Sequence, residues 1–178
     1  MENWISTIDA VTSGFKEKFG NLTAEQLNWK PNEQTWSIAQ NIDHLIVINE
    51  TYYPVIKSIR KGTYKLPFMG KMGFMVNSLG KMILNSVQPD RKRKIKTFPI
   101  WEPSKSNISP DILNRFEKHQ EELKSMIAGS KDLLEKGTVI SSPANKNIVY
   151  KLEMAFNIIV THEQRHLEQA KEILSLIK

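Results

Sequence analysis

The sequence contains no cysteine, and this absence removes several kinds of site at once. Disulfide scaffolds, thiolate zinc sites and cysteine nucleophiles all require that side chain. A transition metal would therefore be held by histidine and carboxylate ligands. Because the chain has only 4 histidines, their positions carry most of the information about such a site.

Long apolar runs are also absent. No stretch approaches the roughly 20 consecutive apolar residues that a membrane-spanning helix needs. Residues 1–5 include an acid and lack the long apolar core of a signal peptide. We therefore expect a cytoplasmic protein without a membrane partner.

Length and composition indicate one globular domain over residues 1–178. A chain of 178 residues with 40% hydrophobic and 25% charged residues can form one packed core and is neither disordered nor fibrous. The net charge of +6 raises the question of nucleic-acid binding. The basic run at residues 91–96 has no aromatic platform beside it, so we interpret it as a solvated loop rather than a nucleic-acid site.

The first two helices are predicted by apolar side chains spaced by threes and fours. The first helix covers about residues 2–20, and a short capped turn follows at residues 23–26. The second runs from Ser37 to about Arg60. Ser37 and Gln40 have the spacing of a capping box, which marks its start.

Two further helices complete the predicted architecture. The third opens at residues 109–111 and closes at Gly137. The fourth begins within residues 147–150 and continues nearly to the end of the chain. The connection between the second and third helices has about 48 residues, which is too long for an ordinary turn in a bundle. We therefore predict an all-α protein, a four-helix bundle with a long crossover connection between helices 2 and 3.

Three histidines are candidate metal ligands. His162 and His166 are four residues apart, so one helix face presents both imidazoles, and Ile159 and Ile173 place that face toward the core. Buried imidazoles need partners, and a bound ion would satisfy both. His44 borders the buried face of the second helix and is the candidate third ligand. Three imidazoles without cysteine are typical of an open catalytic site.

The remaining histidine, His119, lies between Phe116 and Leu123 on the third helix. We interpret it as a histidine of the core or of its boundary, and a fourth metal ligand is the less favoured alternative.

Residues 162–166 also match the H-E-x-x-H pattern of zinc peptidases, in which the glutamate is the general base. Such peptidases need a third ligand downstream and a substrate-binding sheet. Only 12 residues follow His166, and no clear strands precede it. The peptidase interpretation is therefore disfavoured, and Glu163 remains a candidate acid or base.

Residues 36–45 and 162–169 together resemble the DinB-like (YfiT-like) superfamily of metal-dependent enzymes. The resemblance extends over essentially the whole chain. It implies a four-helix bundle with crossed connectivity, and a divalent metal, zinc or nickel, held by His44, His162 and His166. Gln169 and Asp43 are further candidates, as residues that orient these ligands.

The resemblance also implies a range of functions. Characterised relatives include thiol S-transferases that use bacillithiol or mycothiol and a thiol-dependent isomerase. We therefore expect a metal-dependent transferase or hydrolase that acts on a small molecule, with a low-molecular-weight thiol as a cosubstrate. The alternative is a non-catalytic metal-binding module of the stress response. A homodimer is a further expectation, and Met69, Met72 and Met75 lie either at its interface or in the core.

Overall fold

The computed structural model describes residues 1–90, 97–104 and 107–177. These residues are mostly helical, which agrees with the all-α class. The basic run at residues 91–96 lies outside the described residues, so its interpretation stays a prediction. Within the described part of the chain, no helix is long and apolar enough to cross a membrane.

Eight α-helices, two short strands and two 3₁₀ turns make up the described structure. The helices are α1 Glu2–Phe19, α2 Ala24–Asn28, α3 Ile38–Glu50, α4 Tyr52–Arg60, α5 Gly73–Ser86, α6 Ile112–Ala128, α7 Lys131–Glu135 and α8 Leu152–Leu176. The strands are β1 Val139–Ser141 and β2 Val149–Lys151, and the 3₁₀ turns are Phe68–Lys71 and Pro99–Trp101.

The longest helices pack through apolar faces. α1 and α3 each contact both α6 and α8. One group of buried apolar side chains joins α1, α3, α6 and the end of α8, and within it the rings of Phe15 and Phe116 meet edge to face at 5.0 Å. A second group surrounds the start of α8, where α5 also packs against α8 and β2.

The start of α3 forms as its sequence predicts. The Ser37 hydroxyl accepts a hydrogen bond from the Gln40 backbone N–H at 3.1 Å, and the Gln40 side chain accepts one from the Ser37 N–H at 3.1 Å. This capping box satisfies two N–H groups that the first helical turn cannot satisfy itself. It fixes the register of the helix that carries His44.

The second predicted helix is not continuous. It divides at Thr51 into α3 and α4, where one long helix was expected from Ser37 to about Arg60. Pro54 explains the division, because proline has no N–H to donate to the carbonyl of Glu50. The third predicted helix also divides, into α6 and α7.

A short antiparallel hairpin precedes α8, so the expectation of no clear strands before His166 is wrong. β1 and β2 pair with Ile140 opposite Tyr150. Three-residue strands are too short for a readable alternation of apolar and polar side chains. The fourth helix consequently begins at Leu152, a little later than predicted.

The connection between α4 and α6 contains a further helix, α5. Met69, Met72 and Met75 are half-buried beside the exposed side chains of Phe68 and Phe74. The homodimer predicted at this surface stays a prediction.

Candidate metal centre

The fold brings the three predicted histidines together. His44 comes from α3, and His162 and His166 come from α8. One ligand nitrogen from each residue lies within 4.8 Å of the others. The Nε2 atoms of His162 and His166 are 3.0 Å apart. His44 and His166 are 2% and 4% exposed, while His162 remains partly accessible.

Asn41 fixes the tautomer of His166. The Asn41 side-chain N–H donates to the backbone carbonyl of Ser37 at 2.8 Å, so the amide oxygen must point the other way. That oxygen lies 2.7 Å from His166 Nδ1, which therefore carries the proton and donates it. The lone pair of His166 consequently resides on Nε2, the atom that faces His162.

A backbone carbonyl fixes the tautomer of His44. The carbonyl oxygen of Trp101 lies 2.6 Å from His44 Nδ1 and can only accept a hydrogen bond. His44 therefore has its proton on Nδ1 and its lone pair on Nε2. Hydrogen bonds of this kind commonly orient metal-binding imidazoles.

Burial keeps the imidazoles of His44 and His162 neutral. It lowers the pKa of His44 to about 4, although the hydrogen bond to Trp101 and the charge of Asp43 act in the opposite direction. Burial also lowers the pKa of His162, and nearby His44 and Arg165 lower it further. Neutral imidazole is the form that binds metals, and a set of imidazole nitrogens suits zinc, nickel, copper or iron better than calcium or magnesium.

Trp36 covers one side of the cluster. Its ring centroid lies 4.8 Å from that of His44 and 5.9 Å from that of His166, and it is nearly parallel to the His166 ring. Trp36 immediately precedes the Ser37 cap, so the start of α3 positions the indole as well as the helix. Trp36 also lines the cavity on which the histidines open, so its ring forms part of the wall beside them.

The cluster faces a cavity of about 450 Å³. All three histidines line it, together with side chains from α3, α5, α8, the hairpin and the Pro99–Trp101 turn. This volume lies within the usual range for small-molecule sites.

Asp43 holds the connection rather than lining the cavity. Its carboxylate accepts a hydrogen bond from the Ser104 N–H at 3.1 Å and lies 3.8 Å from the Arg115 guanidinium. The Gln40 side chain donates to the Ser104 carbonyl at 2.8 Å. Together these bonds place the segment that carries the Trp101 carbonyl against α3.

Two other polar residues of α8 do line the cavity. Gln169 lies one turn beyond His166, in a position to contact a bound molecule. Arg165 is buried and donates to the Gln88 carbonyl at 2.8 Å, which ties the end of α5 to α8.

The Glu163 side chain points away from the cavity. It is fully buried, and its two carboxylate oxygens accept hydrogen bonds from the side chains of Asn49 at 2.8 Å and Gln120 at 2.9 Å. Burial raises its pKa to about 7, although both hydrogen bonds lower it. It is not among the residues that line the cavity in the described part of the chain. Its acid or base role stays a prediction.

His119 lies apart from the cluster. It is 3% exposed on α6, and its ring packs 6.1 Å from that of Tyr53. Burial lowers its pKa to about 4. This placement fits the interpretation of a core histidine.

Sequence reasoning missed Asn41, Trp36 and the Trp101 carbonyl as parts of this site. Asn41 had a readable signal, because it lies three residues before His44 and therefore on a neighbouring helix face. Trp36 also had a signal, because it immediately precedes Ser37, the cap of α3. The Trp101 carbonyl had no signal in the sequence. Every residue has a backbone carbonyl, and only the fold determines which carbonyl contacts an imidazole.

The fold and the site together define a class, a mostly helical protein whose three histidines converge at the wall of a small-molecule cavity. The model of the DinB superfamily matches residues 7–170, and the chain belongs to that superfamily. It is similar to the uncharacterized protein YuaE of Bacillus subtilis (strain 168), with 29% identity over 158 residues and 88% of each chain covered. No solved structure matches the chain.

Proposed function

We propose that the protein is a metal-dependent enzyme that transfers a low-molecular-weight thiol to a small electrophile. His44, His162 and His166 would hold the ion, zinc or nickel. The observation that carries this proposal is the convergence of three imidazoles at a cavity wall, with the lone pairs of His44 and His166 directed by hydrogen bonds to Trp101 and Asn41.

The ion would supply positive charge that favours the deprotonated form of a thiol. In the transfer, the sulfur loses its proton to water and forms a bond to the electrophilic carbon. The leaving group departs with the electron pair of the bond that breaks. The protein's own residues would hold the reactants in the cavity, where the Trp36 ring packs beside the imidazoles.

The position of Glu163 favours thiol transfer over hydrolysis. A hydrolase of the H-E-x-x-H type needs its glutamate beside the attacking water. Both oxygens of Glu163 are engaged by Asn49 and Gln120, away from the cavity. A thiolate needs no such base at the moment of attack, so its transfer is compatible with this arrangement. Hydrolysis of a small substrate is the second possibility.

The architecture that we propose is a single domain over residues 1–178, a four-helix bundle of α1, α3 with α4, α6 and α8. The contacts of α1 and α3 with both α6 and α8 support it. Residues 61–111 would then form the long crossover between the second and third bundle helices.

Metal content and turnover test the function. Protein reconstituted with zinc or nickel should retain about one ion per chain, and His44→Ala or His162→Ala should lose it. His119→Gln is the matched control, because it removes a buried histidine outside the cluster, and it should retain the ion. Absence of metal from the reconstituted wild-type protein would contradict the proposal.

The turnover assay uses bacillithiol, mycothiol or cysteine with a panel of small electrophiles. Loss of thiol consumption in His44→Ala, with full consumption in His119→Gln, is the expected result. Metal-dependent thermal stability without turnover on any pair would instead favour the alternative, a non-catalytic metal-binding module.

A further inference from the structure

One part of the cavity continues away from the histidine cluster along two helices. Ile48 and Tyr52 follow His44 at intervals of four residues, and Ile158 precedes His162 by four. All of these residues line the cavity. His44 and Ile48 lie on α3, and Tyr52 begins α4 just beyond the division at Thr51. The cavity therefore reaches from the histidine cluster to the start of α4.

The walls of this part are apolar. Ile83 comes from α5 and Ile148 from the hairpin, and both pack against the hydrophobic group that contains Tyr52 and Tyr150. We name this part the aliphatic arm, and it is lined by Ile48, Tyr52, Ile83, Ile148, Tyr150 and Ile158. None of these side chains is charged. A charged ligand group would lose its hydration there without gaining an opposite charge, so the arm favours an uncharged molecule.

Two tyrosine hydroxyls stand at the far end of the arm. Tyr52 and Tyr150 are 3% and 2% exposed, and their hydroxyl oxygens are 2.9 Å apart. One proton joins the two oxygens, so the tyrosine that accepts it still has its own proton to donate. The Ser142 hydroxyl also belongs to a residue that lines the cavity. The group of hydroxyls can therefore donate to, or accept from, an oxygen atom in the arm.

We propose that the aliphatic arm binds the electrophilic substrate, an uncharged molecule with an apolar body and a terminal oxygen that hydrogen-bonds to the Tyr52–Tyr150 pair. This inference rests on the proposed function, because the reacting end of the substrate would lie at the histidine cluster. Polar side chains of Gln34, Thr35 and Gln169 line the opposite part of the cavity beside Trp36 and Ile173, and these polar groups suit a hydrophilic thiol.

The test uses three hydroxamic acids as probes, because a hydroxamate chelates zinc and directs the attached chain into the cavity. Hexanohydroxamic acid and 6-hydroxyhexanohydroxamic acid differ only in a terminal hydroxyl, and acetohydroxamic acid has no chain. Their affinities for the zinc-loaded protein are measured by calorimetry. We expect the 6-hydroxy compound to bind about two- to tenfold more tightly than hexanohydroxamic acid, the usual net value of one hydrogen bond.

Removal of the hydroxyls should abolish this preference. In the double variant Tyr52→Phe, Tyr150→Phe the terminal hydroxyl of the probe would be buried without a partner, so we expect the preference to disappear or to reverse. Tyr64→Phe is the matched control, because its hydroxyl bonds to Ser141 in the same hairpin without lining the cavity. It should keep the preference of the wild-type protein.

A second variant keeps the test independent of the tyrosines. Ile83→Trp should narrow the arm and weaken both six-carbon probes at least tenfold, while acetohydroxamic acid binds as before. Equal affinities of the two six-carbon probes in the wild-type protein would overturn the inference, as would a preference that survives the double variant. If acetohydroxamic acid itself fails to bind the zinc-treated protein, the proposed function fails and the inference falls with it.

Discussion

Replacement of Asn41 by leucine should weaken metal binding although Asn41 is not itself a ligand. The wild-type amide fixes the proton of His166 on Nδ1, through its bonds to Ser37 and to the imidazole. Leucine has nearly the same shape but no polar atom. In Asn41→Leu, His166 would be free to carry its proton on Nε2, and that tautomer has no lone pair to offer at the cluster.

The size of the effect follows from the kind of contact that is lost. Removal of a partner that orients a metal-binding histidine typically lowers affinity about 10- to 100-fold, or about 1.4–2.7 kcal/mol. Asn41→Asp keeps an acceptor for His166 Nδ1 and adds negative charge. We therefore expect it to bind zinc at least as tightly as Asn41→Leu, and within about tenfold of the wild-type protein.

The assay is a competition titration of zinc against a chromophoric chelator at neutral pH. Asn157→Leu is the matched control. The Asn157 oxygen also accepts a hydrogen bond from an aromatic side chain, the indole N–H of Trp4, at 2.7 Å. Asn157 is not a cavity-lining residue of the described structure. It should lose stability but keep its zinc affinity. An Asn41→Leu protein that is folded and binds zinc as tightly as the wild type would refute the reasoning about the His166 tautomer.

Four further predictions concern stability, turnover and assembly. Burial depresses the folded-state pKa of His119 to about 4, so the unfolded chain takes up its proton first, and the free energy of unfolding of the metal-free protein should fall as the pH drops from about 6.5 to 4. The decrease attributable to His119 should be about 3 kcal/mol and should be missing in His119→Gln, as measured by urea unfolding at several pH values. Glu163→Leu should cost about 2–6 kcal/mol because it leaves the buried amide donors of Asn49 and Gln120 without acceptors. In the milder Glu163→Gln, a loss of turnover of about 100-fold or more with unchanged metal content would support an acid or base role for this residue. Sedimentation should show a dimer that Phe74→Glu dissociates, and a monomeric wild-type protein would contradict this prediction.

The parts of the fold that the sequence predicts are those with long-range periodicity or a local cap. α1, α3, α6 and α8 each repeat an apolar side chain every three or four residues, and Ser37 with Gln40 marks the start of α3. The three histidines share these helix faces, so helical spacing alone indicates that His162 and His166 act together. His44 joins them only because α3 packs against α8.

The spacing of apolar residues does not predict elements of only a few residues. The β1–β2 hairpin has three residues in each strand, and its pairing is satisfied by backbone bonds that any residue can make. It nevertheless places Tyr150 in the cavity. The division of the second helix is different, because Pro54 was visible in the sequence and its missing N–H is a local and general rule.

The long connection is part of the site rather than a link between helices. Asp43 and Gln40 hold the backbone of Ser104, and three residues before it Trp101 presents its carbonyl to His44. Through Gln40 and Asp43, α3 therefore anchors the segment whose Trp101 carbonyl orients His44, a residue of the same helix. A change that loosens Ser104 should consequently act on His44 without touching it. This arrangement explains why the residues beside His44, and not only the histidine, belong to the chemistry of the centre.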